Sequence, residues 1–105
     1  MRSIQSNKQF NDLVKGDKPF VLDFYADWCG PCQVLLPTVE KLAKEFSETV
    51  TIAKINIDNQ PELAQLFNVK SIPSLFFMEK NNVKDAHKGM ASEKTLRDKI
   101  KKLVS

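Results

Sequence analysis

The run PFVLDFYA at residues 19–26 constrains the fold more than any other stretch of this chain. It is apolar at nearly every position and rich in aromatic and branched side chains, so it reads as a strand covered on both faces. Such a strand belongs in the middle of a sheet with helices packed above and below. One residue breaks the pattern. Asp23 puts a carboxyl group into what should be buried strand, where loss of water raises its pKa toward the range useful for proton transfer. The alternative is a solvent-facing position on an edge strand.

The flanking segments supply the helices. Ser6 followed by Gln9 has capping-box spacing, and Phe10, Leu13 and Val14 recur at helical intervals until Gly16. From Cys29 onward Leu35, Leu36, Val39, Leu42, Ala43 and Phe46 repeat with a period of ~3.6 residues, which predicts a long amphipathic helix kinked at Pro37. VTIAKINI (50–57) is a second strand, interrupted by Lys54. That amine either partners a buried carboxylate on a neighbouring strand or snorkels to the surface. DNQPELAQLF predicts a short helix capped by Asn59 or Gln60, with Pro61 in its first turn and Leu63, Leu66 and Phe67 on one face. SLFFME (74–79) and VKDAHKG (83–89) predict a hairpin turning at Asn81-Asn82. Ser92 caps a last helix whose Leu96, Ile100, Leu103 and Val104 face inward, and a short strand near residues 3–5 fits before the first helix. Strands that alternate with helices and then close in a hairpin imply an α/β fold, a mixed sheet with helices on both faces.

At 105 residues the expected organisation is one domain spanning 1–105. The net charge of +3 does not call for nucleic acid. Lys94, Arg97, Lys99, Lys101 and Lys102 in the last helix read as a solvated face that complements the helix dipole. The start, MRSIQSNKQF, resembles no secretory core, and no apolar run approaches the ~18 residues of a membrane span, so a cytoplasmic protein is expected. In that compartment a lone Cys-x-x-Cys is redox-active or metal-binding rather than a structural staple. Zinc needs about four ligands, and beyond Cys29 and Cys32 only the distant His87 is on offer, so no metal site is expected.

The two cysteines sit where a strand ends and a helix begins. With Cys29 as N-cap, Cys32 is the third helical residue and its N–H points back at the Cys29 sulfur. That donor and the helix dipole favour the thiolate, making Cys29 a nucleophile near neutral pH. Gly30 removes bulk beside the sulfur, and Pro31 fits the first turn, where its missing N–H costs little. Thiol–disulfide exchange follows, with Cys29 exposed and attacking, Cys32 shielded and resolving, and Asp23 placed to accept the Cys32 proton. Trp28, an aromatic directly before a reactive thiol, suits either partner contact or the core.

With DFYADWCGPC, Pro37, AKINID (53–58), SIPS (71–74) and Gly89 assembled, the sequence resembles the thioredoxin family over almost its whole length. The resemblance implies a central mixed five-stranded sheet flanked by four helices. It also implies a cis Ile72-Pro73 peptide beside the thiols and a flat rim of Trp28, Gly30, Pro31, Pro73 and Gly89, with the Ile72 backbone pairing to a client strand. The implied activity is protein-disulfide reduction by a monomer that binds no cofactor itself. Reducing equivalents would come from NADPH through a flavin-containing thioredoxin reductase. The chain departs from the commonest family pattern at Tyr25, Gln33, Ser71, Ser74 and Asn82. Two other readings compete: a non-catalytic binding or assembly module, disfavoured because binding alone needs no buried carboxylate, and a dedicated disulfide oxidant or isomerase.

Overall fold

The computed structural model describes all residues, Met1 to Ser105. Five strands and four helices follow one another as β1 (Arg2–Ser3), α1 (Asn7–Lys15), β2 (Phe20–Tyr25), α2 (Gly30–Glu45), β3 (Thr51–Asn56), α3 (Pro61–Leu66), β4 (Ser74–Glu79), β5 (Asn82–Lys88) and α4 (Glu93–Val104). The sheet order is β1-β3-β2-β4-β5, which places the apolar β2 at its centre as its composition requires. β1 and β2 both pair with β3 in parallel, whereas β2–β4 and β4–β5 are antiparallel.

Strand alternation divides the core into two layers. Phe20, Leu22 and Phe24 of β2 point to one face, where α1 contributes Phe10 and Leu13 and α3 contributes Leu63. Val21 points to the other, beneath Leu35, Val39 and Leu42 of α2 and Leu96 and Ile100 of α4. On the first face Phe67 meets Phe10, Phe24 and Phe76 at ring-centroid distances of 5.7, 5.3 and 5.0 Å, tying the exit of α3 to the sheet. By the same alternation Asp23 and Tyr25 share the α2 side with Val21, and Lys54 shares it with Ile52.

Local chemistry sets the helix starts. Ser6 Oγ accepts from the Gln9 N–H at 3.2 Å, and Ser92 Oγ accepts from Thr95 N–H at 3.1 Å. The Gln9 side chain reaches back to the Gln5 N–H, one residue before the cap. Helix α2 continues through Pro37 to Glu45. On the surface Arg97 donates to Glu45 at 2.8 Å and to Glu93 at 2.9 Å, clamping α4 to α2. The guanidinium holds both carboxyls below their usual range.

Several expectations shift. The first strand lies at Arg2–Ser3 rather than residues 3–5, because Ile4 turns into the core and only its N–H continues the pairing, onto Lys54. The hairpin turns at Lys80-Asn81, one residue earlier than expected: Glu79 pairs with Asn82, and Lys80 itself adopts φ 51°. Register then slips from Phe77↔Asp85 to Met78↔Val83, leaving Lys84 as a bulge residue. Leu66 and Val104 do not face inward. They are 66% and 37% exposed: α3 is a six-residue helix that buries Leu63 alone, and Val104 is the last residue of α4. Gln60 occupies the α3 N-cap, but its side chain donates to the Gln5 carbonyl instead of capping.

Candidate active site

The end of β2 and the start of α2 bring the cysteines together. Cys29 is the N-cap of α2, with φ −87° and ψ 107°, and Pro31 lies in the first turn. The Cys32 N–H donates to the Cys29 sulfur at 3.2 Å, as the spacing predicts. The two sulfurs are bonded to each other, and the Cα atoms are 5.3 Å apart. A helix of 16 residues stands behind Cys29, so the positive end of its dipole faces that sulfur.

Exposure does not separate the two cysteines, contrary to expectation. They are 5% and 4% exposed, because Ala26, Tyr25, Ile57 and Ile72 close around the pair. What distinguishes them is the donor: only the Cys29 sulfur receives a backbone N–H. The Ile72 carbonyl oxygen lies 3.8 Å from the same sulfur, so the segment before β4 comes directly against the nucleophile. Ile72-Pro73 is a cis peptide, as the resemblance implies. Gly89 follows β5 with φ +84°, a backbone conformation that side-chain-bearing residues rarely adopt, and its N–H donates to the Pro73 carbonyl at 2.8 Å. A Cβ at Gly30 would meet no atom of the fold within 4 Å, so the missing side chain leaves open space above the turn.

Trp28 is 70% exposed, which removes the core alternative. Its indole N–H donates to Asp58 Oδ2 at 2.8 Å, pinning the ring at the rim. Asp58 was not among the residues singled out from the sequence. It lies just past β3, in a turn organised by buried Asn56, whose Oδ1 accepts from the Asp58 N–H at 2.9 Å. A signal was present in AKINID, an Asn-x-Asp at a strand end, but only β2–β3 pairing brings it to Trp28.

Asp23 is 2% exposed, and its Oδ1 has no hydrogen-bond partner. Burial pushes its pKa up to about 7, while the charge of Lys54 pulls it back. Lys54 is the register partner of Asp23 on β3, yet the two form no ion pair within 4 Å. Its Nζ sits instead 5.4 Å from the Tyr25 ring centroid. Both sequence readings of Lys54 are therefore partly met: it acts on Asp23 through space and extends toward the surface.

Comparison with known sequences decides the family, since the family model described as Thioredoxin matches residues 2–102. The chain belongs to the thioredoxin family. It is a thiol–disulfide oxidoreductase with Cys29–Cys32 as its redox-active disulfide. Similar proteins include the thioredoxin of Rickettsia typhi, 35% identical over 94 residues covering 90% of each chain. The chloroplastic M-type thioredoxin of Spinacia oleracea is 36% identical over 93 residues, 89% of this chain but 51% of that longer protein. Among solved structures, the thioredoxin of Malassezia sympodialis superposes with a TM-score of 0.92 at 30% identity, covering 100% of this chain and 91% of that one. The germline-specific Deadhead thioredoxin of Drosophila melanogaster gives 0.89 at 35% identity, covering 99% and 100%. Other thioredoxin folds share the mixed five-stranded sheet and four helices seen in this chain. No helix is long and apolar enough to cross a membrane.

Proposed function

We propose that this thioredoxin-family chain is a protein-disulfide reductase acting as a monomeric single domain in the cytoplasm, recycled by a flavin-containing thioredoxin reductase that draws on NADPH. The observation that carries the reading is the Cys32 N–H held 3.2 Å from the Cys29 sulfur at the head of a long helix, with the Ile72 carbonyl against the same atom. In the reduced state the Cys29 thiolate attacks one sulfur of a client disulfide. The client S–S bond breaks, a Cys29–client bond forms, and the first client thiolate leaves and takes a proton. Cys32 then loses its proton to Asp23 and attacks the Cys29 sulfur. The Cys29–client bond breaks and the second client thiol departs, so two electrons pass from the dithiol to the client. Lys54 moderates the Asp23 pKa through its charge. Trp28, Ile72, Pro73 and Gly89 hold the client segment, and Gly30 and Pro31 keep the turn low enough for its approach. No bound cofactor is required, because the two sulfurs carry the electrons. The cytoplasmic setting fits a dithiol that must be returned to its reduced form after each turnover.

Reduction of insulin disulfides with NADPH and thioredoxin reductase tests this. Wild type should be active. Cys29→Ser should lose activity by about 10³-fold or more, as removal of a covalent nucleophile does. Cys32→Ser should accumulate a stable mixed disulfide with insulin, visible by mass. An inactive wild type, or a mixed disulfide trapped by Cys29→Ser instead, would refute the assignment.

A further inference from the structure

The sheet topology orders three charged positions and the buried Pro73 along one edge. β3 and β2 run parallel, β4 runs against β2, and β5 runs against β4. The ends of β3, β2 and β5 and the beginning of β4 therefore lie on the same edge. Across it stand Asp58 just past β3, Asp27 just past β2, Pro73 just before β4, and Lys88 as the last residue of β5. Lys88 is the register partner of Ser74, and Gly89 beside it bonds to Pro73. With strands ~4.8 Å apart, this row spans roughly 15 Å, about the width of a client segment crossing the disulfide.

Asp27, Asp58 and Lys88 are all exposed, and none of them is in an ion pair. The Asp58 carboxylate accepts only from the neutral indole of Trp28, so its negative charge stays uncompensated. The loop leading into β4 adds Lys70, likewise exposed and without a carboxylate partner. Apolar surface accompanies the charges: Trp28, bonded to Asp58, is 70% exposed, and Met90, two residues past Lys88, is 49% exposed. A client chain seated there would meet negative charge on the β3–β2 side of the attacked sulfur and positive charge on the β5 side.

We propose that this rim selects client disulfides by charge order: a basic residue on the β3–β2 side of the attacked cysteine and an acidic one on the β5 side, with Lys88 and Asp58 as the specificity-determining pair. The proposal rests on the reductase reading and names its preferred substrate class. Unpaired rim charges act mainly on encounter and register, so the effect belongs in the rate of mixed-disulfide formation and weakens with salt.

The test uses symmetric disulfide dimers of three peptides, so that the attacked cysteine is unambiguous. One carries Glu two residues before the cysteine and Lys two after, the second reverses them, and the third carries Gln at both places. Single-turnover reduction by the pre-reduced protein should favour one charged order over the other by about 3- to 10-fold at low salt, with the Gln peptide between them. In ~0.5 M salt the ratio should fall below about 2-fold. Lys88→Glu should abolish or invert the preference while leaving the Gln peptide unchanged, and Lys88→Gln should reduce it. Equal rates for the two orders, or a preference that survives Lys88→Glu, would overturn the charge-order proposal alone. Failure to reduce any peptide, Gln included, would overturn the reductase reading and the proposal with it.

Discussion

Asp23 titrates near neutrality because its carboxyl lies 2% exposed with an unpartnered oxygen, and burial outweighs the opposing charge of Lys54. The sign of the consequence is set by linkage. The folded chain binds this proton more tightly than the unfolded chain, with a pKa of about 7 against 3.8. The stabilising contribution of the protonated form is complete below pH 3.8 and is lost as pH rises through about 7. Asp23→Asn should therefore match wild type in urea unfolding at pH 3.5 and exceed it by on the order of 4 kcal/mol at pH 8. A gap independent of pH would sink the assignment. The same variant should slow insulin reduction by about 10-fold or more at pH 7 and flatten the limb of the rate profile near that pH. Asp23 was legible in the sequence because it interrupts an otherwise apolar strand, and the cysteines because of their spacing and context. The Asp58–Trp28 bond was not, and Ile72 beside Cys29 came only through the family resemblance, since those pairs are 30 and 43 residues apart and meet only through the sheet.

Helices were easier to read than turns for a physical reason. A cap declares itself locally: a hydroxyl three residues ahead of an amide, as at Ser6 and Ser92. Ser92→Ala should cost about 1 kcal/mol in thermal or urea unfolding with no change in exchange rate, and no loss at all would deny the cap its role. A hairpin turn instead depends on the register of both strands. Asn81-Asn82 looked like the turn because asparagine tolerates left-handed backbone, yet pairing of Glu79 with Asn82 forces that conformation onto Lys80. Lys80→Gly should accordingly stabilise the protein by about 0.5–1 kcal/mol, read by the same melts. A destabilisation would mean that the Lys80 bond to the Gly16 carbonyl outweighs the backbone strain. The exposure of Leu66 and Val104 was hidden for a related reason. Helical period says which residues share a stripe, not how far the neighbouring surface extends beneath it.

The alternation of apolar and helical segments was enough to place β2 at the centre and helices on both faces, because a doubly covered strand has few other solutions. The first strand was placed one residue late, at 3–5, and the strand order was not read at all, since a two-residue strand such as Arg2–Ser3 has no signature of its own and neighbours in the sheet are not neighbours in the chain. The architecture also has a direction. β4 leaves Pro73 at the reactive edge and delivers the chain, six residues and ~20 Å later, to the Lys80-Asn81 turn at the other pole. That turn holds only exposed side chains and carries none of the exchange machinery. A flexible Gly/Ser insert of about ten residues between Lys80 and Asn81 should leave insulin reduction within about 2-fold of wild type, loop lengthening at an exposed tip being mild. Loss of activity there would show that the two poles communicate. If they do not, the molecule can be tethered to a bead, an electrode or a second protein by its hairpin and still present its sulfurs outward.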